Sequence, residues 1–139
     1  MKKSVSHVID ELVKKLSSID GLAAAYLFGS VANGTHDDDS DIDLALLFED
    51  YTSDGVDRLQ LMSDLSSVAG RDVEVIIINK ATPRLYHEIM RTGIIILEKN
   101  SSVRIKKEML NRRLYQDYRH IHSIYMKGLR NRYAQKRHS

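Results

Sequence analysis

Four short apolar runs, set between amphipathic or polar stretches, constrain this chain more than any other feature. They are Leu22 to Phe28 (LAAAYLF), Ile42 to Phe48 (IDLALLF), Val73 to Ile78 (VEVIII) and Ile94 to Leu97 (IIIL). Each reads as a short strand, and the third is the richest in β-branched residues. Val5, Val8, Ile9, Leu12, Val13 and Leu16 recur at helical spacing before the first run and predict a helix ending near Asp20-Gly21. Leu59, Met62, Leu65 and Val68 predict a second helix, over 56–68 and closed by Gly70. Thr82-Pro83 offers a capping hydroxyl and then proline at the first helical position, opening a helix that ends at Gly93. Ser101 or Ser102 caps a last long helix, in which Leu110, Leu114, Tyr118, Ile121, Tyr125 and Leu129 form one stripe. The stretch 31–40 (VANGTHDDDS) is a loop or a single helical turn. The order αβ(turn)βαβαβα predicts an α/β (α+β) fold, a small mixed sheet flanked by helices. The long C-terminal helix either packs on that core or partly projects.

At 139 residues the chain suits one domain. A chain near this length buries about 68–70% of its unfolded surface, so a core needs no disulfides. There is no cysteine, which excludes disulfide scaffolds, Cys-based zinc sites and catalytic thiols. Met1-Lys2-Lys3 is followed by Asp10, Glu11, Lys14 and Lys15, so no apolar signal core follows the basic start. The longest apolar runs are far too short to span a bilayer. A cytoplasmic protein with no membrane partner is expected.

The residues suited to chemistry lie between the first two strands. Gly29-Ser30 ends one strand, and ten residues later Asp41-Ile42-Asp43 enters the next. Alternate strand positions share a face, so both carboxylates project together. Paired acids suit a hard cation such as Mg²⁺. A Gly-Ser turn that opens a helical turn presents N–H groups and a hydroxyl to phosphate oxygens. The blander reading is a solvated acidic loop, since Asp37, Asp38 and Asp39 lie alongside. Asp41 and Asp43 differ from these by being embedded in an apolar strand, where ionised carboxylates are costly unless paired or metal-bound. At about 5–7% per residue, the four fixed positions match about once in 10⁵ starting points. No P-loop lysine motif and no GxGxxG is present.

Gly29-Ser30, ten residues, then Asp41-x-Asp43 resembles the GS-x10-DxD signature of the DNA-polymerase-β-like nucleotidyltransferases. The short chain and its element order resemble the minimal nucleotidyltransferases, the MNT antitoxins of HEPN–MNT toxin–antitoxin pairs. The resemblance covers about residues 5 to 99. It implies the nucleotidyltransferase fold, with residues 1–100 as the minimal core and 101–139 as a basic, Tyr-rich helix and tail. It also implies a third carboxylate on a later strand, for which Glu74 and Asp72 are candidates. The apolar flanks of Val73-Glu74-Val75 favour Glu74, although the family more often has Asp there.

The implied function is that of an antitoxin transferring AMP from ATP to a tyrosine hydroxyl of an all-helical HEPN ribonuclease toxin. Asp41, Asp43 and Glu74 would hold one or two Mg²⁺, and Gly29 and Ser30 the phosphates. The alternatives are a small-molecule nucleotidyltransferase, less expected because such enzymes usually carry a second substrate-holding domain for which 139 residues leave no room, and a non-catalytic module that neutralises by contact.

The formal net charge, +2, hides a division. Residues 101–139 carry eleven Lys and Arg against two acids, a net of +9, and residues 1–100 a net of −7. Tyr115, Tyr118, Tyr125 and Tyr133 lie in the same basic segment. Basic residues interleaved with aromatics suit nucleic acid. Tyr and Arg equally suit anchoring on an acidic protein partner. A solvated basic face over a helix whose stripe packs on the core is the third reading. Arg113 and His120 fit the loose Arg-x4–6-His pattern of HEPN ribonucleases, but that chemistry needs a helical bundle around the pair. His36, in the motif loop, has the blander reading of an exposed loop histidine.

Overall fold

In the computed structural model, which describes residues 4–34, 40–52 and 54–137, helix and strand alternate from end to end. The order is α1 (Val5–Ser17), β1 (Leu22–Phe28), α2 (Ser30–Asn33), β2 (Ile42–Phe48), α3 (Arg58–Ala69), β3 (Val73–Ile77), a 3₁₀ turn (Ile78–Lys80), α4 (Pro83–Thr92), β4 (Ile94–Glu98) and α5 (Ser101–Arg137). The strands form one mixed sheet in the order β3-β2-β1-β4. β1 is antiparallel to β2 and β4, and β2 is parallel to β3.

Capping follows local chemistry. Ser4, Asp57 and Thr82 each accept a bond from the third residue onward, at the starts of α1, α3 and α4. The last helix departs from expectation: α5 begins at Ser101, and Asn100 Oδ1 accepts the Val103 N–H, so the cap is Asn100 and not Ser101 or Ser102. Gly70 closes α3 in the left-handed conformation. The Lys99 ammonium donates to the carbonyls of Ser17, the last residue of α1, and of Ile19 just beyond it.

The sheet is covered on both faces, so β1 and β2 are almost wholly buried. One core joins Val8, Leu12 and Leu16 of α1 and Leu65 and Ala69 of α3 to Leu27, Leu44, Leu46, Val73 and Val75. The other joins Tyr86 and Ile89 of α4 to Ala23, Ala24, Tyr26, Ala45 and Leu47. Three alanines there admit close helix approach. Among the described residues no helix is long and apolar enough to cross a membrane.

The first half of α5 is rooted on this second face by polar contacts. The Tyr26 hydroxyl donates to Glu108 Oε1 at 2.6 Å. Arg104 binds Glu98 and, at 2.9 Å, Glu108. Buried Asn111 donates to the Pro83 carbonyl at 3.0 Å, and the Tyr115 ring stacks on His87 with centroids 3.9 Å apart. Burial first, then the Glu108 contact, raises the Tyr26 hydroxyl far above its ordinary pKa. Burial, with the Glu108 charge, pushes Tyr86 up to about 12.

The pairs Pro83–Asn111 and His87–Tyr115 make α5 run parallel to α4. From Gln116 to Lys136 every residue of α5 is exposed. The stripe Leu110, Leu114, Tyr118, Ile121, Tyr125 and Leu129 therefore does not pack on the core, and the far half of the helix projects.

Candidate active site

β1 delivers the chain to Gly29, which adopts φ 79° and ψ −156°, a backbone state that glycine alone enters cheaply. The chain then turns into α2, where the Asn33 N–H reaches the Gly29 carbonyl at 3.1 Å. The expected helical turn after Gly-Ser is thus present. Gly29 is needed for a second reason. A Cβ built there would lie 2.2 Å from Asp43 Oδ2, so the Asp43 carboxylate rests directly against the glycine. The register explains this, because Phe28 faces Asp43 across the β1–β2 ladder.

The acids gather at the same end of the sheet. Asp43 is half-buried on β2, Asp41 is exposed two residues before it, and Glu74 is the Cα partner of Asp43 on parallel β3. Burial, then the Asp41 charge, then the Glu74 charge raise the Asp43 pKa above its ordinary value. Asp72 is exposed at the strand entrance, where its carbonyl accepts the Ile42 N–H at 2.9 Å. Of the two candidate third acids, Glu74 is the one whose charge acts on Asp43. Val73, Val75 and Ile77 point into the core, which turns Glu74 to the opposite face.

Arg58, which no sequence motif marked, flanks this group. Its Nε donates to the Val75 carbonyl on the outer edge of β3 at 2.6 Å, and its Nη2 lies 3.7 Å from Glu74 Oε2. Arg58 opens α3, sixteen residues before Glu74, and tertiary packing alone brings the two together. Local spacing holds no signal for such a pair.

The arrangement fits a hard cation with phosphates better than a metal held by protein alone. Among the described residues no three acidic or imidazole side chains form a complete metal cage. Mg²⁺ commonly takes one or two carboxylates and completes its shell with water and substrate phosphates. Asp41, and Asp43 beside the half-buried glycine turn, meet that requirement, and burial first, then the charges of Asp41 and Glu74, disfavour an ionised Asp43 without a cation. His36 and Asp37 to Asp39 lie outside the described residues. Arg113 and His120 are both exposed on α5, without a helical bundle around them among the described residues.

Comparison with known proteins follows this geometry. The profile of the family described as polymerase beta, nucleotidyltransferase matches residues 10–102. The Shewanella oneidensis protein adenylyltransferase MntA is 34% identical over 85 residues, spanning 60% of this chain and 60% of that relative. The chain therefore matches less than two thirds of this relative's length. Among solved structures, a chain of a toxin–antitoxin crystal structure with AMP-PNP is 25% identical, with a TM-score of 0.65, over 86% of this chain and 91% of that one. A chain from the tri-AMPylated Shewanella oneidensis HEPN toxin in complex with MNT antitoxin shares the fold, with a TM-score of 0.62 at 22% identity over 85% of this chain and 89% of that one.

Proposed function

Because the chain belongs to the polymerase beta nucleotidyltransferase family, we propose that it transfers AMP from ATP to a tyrosine hydroxyl of a cognate HEPN toxin and so acts as its antitoxin. The observation that carries this reading is the packing of Asp43 on Gly29, with Asp41 and Glu74 alongside at one end of the sheet. The adenylyltransferase relative and the toxin–antitoxin neighbours, one of which holds an AMPylated HEPN toxin, support a toxin protein as the acceptor.

In this reading the turn at Gly29 and Ser30 would receive the triphosphate, Asp41 and Asp43 would hold Mg²⁺, and Glu74 would complete its shell or take the acceptor proton. Mg²⁺ held there would supply positive charge to the phosphate oxygens. The acceptor oxygen forms a bond to the α-phosphorus, and the bond from that phosphorus to pyrophosphate breaks. The hydroxyl proton passes to Glu74 or to solvent. The toxin gains AMP and the body of this chain is unchanged.

The test is incubation of the chain with labelled ATP, Mg²⁺ and the toxin. Label is expected on the toxin, and Asp41→Asn with Asp43→Asn is expected to abolish it. Undiminished labelling by that double variant refutes the assignment of the acids. Full toxin neutralisation by the same variant moves the function from chemistry to contact.

A further inference from the structure

From Gln116 to Lys136 the far half of α5 is exposed, yet its composition is not that of a solvated helix. Ile121 is 66% exposed, Tyr125 61% and Ile124 59%, and with Leu129 they share one side of the helix. No Asp or Glu follows Asp117, whereas Arg119, Lys127, Arg130, Arg132 and Lys136 do. A helix meant for water alone gains from acid–base pairs three or four residues apart. This segment has no acid to form them with.

Its placement is the second observation. β4 begins at Ile94, paired with Leu27, so the C-terminal end of α4 lies at the end of β1 that leads to Gly29. α5 runs parallel to α4, and leaves the body at that same end. Residues 116–137 extend about 33 Å at 1.5 Å per residue. The arm thus stands on the side of the molecule that carries Asp41, Asp43 and Glu74.

We propose that the free half of α5 is a docking arm for an acidic helical face of a protein partner, and that it presents this partner to the acidic site. The isoleucine and leucine side chains require an apolar counterpart, which a phosphate backbone does not offer, and this favours protein over nucleic acid. The run of cations without acids requires a partner face rich in Asp and Glu. A second copy laid arm on arm would bring two strongly basic helices together. The identity of the partner as a HEPN toxin rests on the reading above.

The test uses full-length variants, because the substituted residues are exposed on the half of α5 beyond Tyr115. Ile121→Glu with Tyr125→Glu removes the apolar face, and Lys127→Glu with Arg130→Glu reverses the charge. Each is titrated into the purified cognate HEPN toxin by calorimetry. Binding of AMP-PNP with Mg²⁺ serves as the control for the acidic site, and a 20-nucleotide RNA as the competing probe. The expected result is toxin affinity weakened about tenfold or more by each pair, with AMP-PNP binding unchanged. Unchanged toxin affinity in both pairs overturns the proposal. RNA binding that is lost with the charge pair, while toxin affinity persists, assigns the arm to nucleic acid and overturns it equally. If wild type forms no complex with the toxin, this inference and the partner assignment both fail. A complex that forms without AMP transfer refutes the proposed chemistry and leaves the arm standing.

Discussion

Replacing Gly29 by alanine separates two reasons for a glycine at the head of the site. The first is backbone: φ 79° with ψ −156° lies in a region that costs a residue with a Cβ about 1–3 kcal/mol. The second is contact, because the new methyl would fall 2.2 Å from Asp43 Oδ2. Asp43 is half-buried and its side chain can turn away, at about 0.5–1.5 kcal/mol for leaving its rotamer. Together these predict a loss of about 1.5–4.5 kcal/mol, or a Tm lower by about 5–20 °C at this chain length. A double-mutant cycle with Asp43→Ala resolves the two. With the carboxylate gone, the backbone cost alone remains, so the cycle is expected to show a coupling of about 0.5–1.5 kcal/mol. The assay is urea and thermal unfolding of the four metal-free proteins, followed by circular dichroism. A loss below about 0.5 kcal/mol refutes the backbone argument, set against that expected range. An equal loss in both backgrounds refutes the packing of Asp43 on Gly29. In the folded Gly29→Ala protein, AMP transfer is expected to drop about 100-fold, since displacing a reacting group by an ångström costs that much.

Four further perturbations probe Asp43 and other contacts of the fold. Asp43 titrates above the ordinary aspartate value of 3.8, so the folded chain holds that proton more tightly than the unfolded chain. Metal-free wild type should therefore lose stability as pH rises through this raised pKa, and Asp43→Asn should melt higher than wild type by a margin that widens toward neutral pH; a margin independent of pH contradicts the linkage. Glu108→Ala removes the acceptor of the Tyr26 hydroxyl and leaves Arg104 paired with Glu98 alone, and is expected to cost about 1–3 kcal/mol in urea unfolding, with faster amide exchange across residues 101–115. Arg58→Met removes one bond to the β3 edge and an exposed ion pair, so a loss of about 0.5–1.5 kcal/mol is expected. Glu74→Gln should cost less than about 0.5 kcal/mol, and a larger loss would show that the Arg58 pair is not an ordinary surface contact.

Strands were legible where burial is two-sided. β1 and β2 occupy Leu22–Phe28 and Ile42–Phe48, as their apolar runs, the second interrupted by Asp43 alone, predicted. Helix ends were legible where the signal is chemical, as at Thr82-Pro83 and Gly70. The start of α5 was not, because Asn100 competes with two adjacent serines and all three make good caps. The face of α5 that docks was hidden for a different reason. Periodicity reveals an apolar stripe but not what covers it, and the rooted face uses Glu108, Asn111 and Tyr115 in place of the stripe. At the site, the Gly-Ser and Asp-x-Asp spacing brought its residues to one place in the fold. The contact of Gly29 with Asp43 and the approach of Arg58 depend on strand register and helix packing, which spacing does not carry.

The continuity of α5 bears on how such a protein can change. Starting a helix is the costly event, and lengthening one costs little per residue. The turns held by Arg104, Glu108 and Asn111 supply the start, so the projecting turns are extended from a seed that already exists. Residues there can be exchanged, or whole turns added and removed, without disturbing the sheet or the acids. A lineage of such chains could thus explore new partners by drift in one helix, while the chemistry stays locked in the register of three strands.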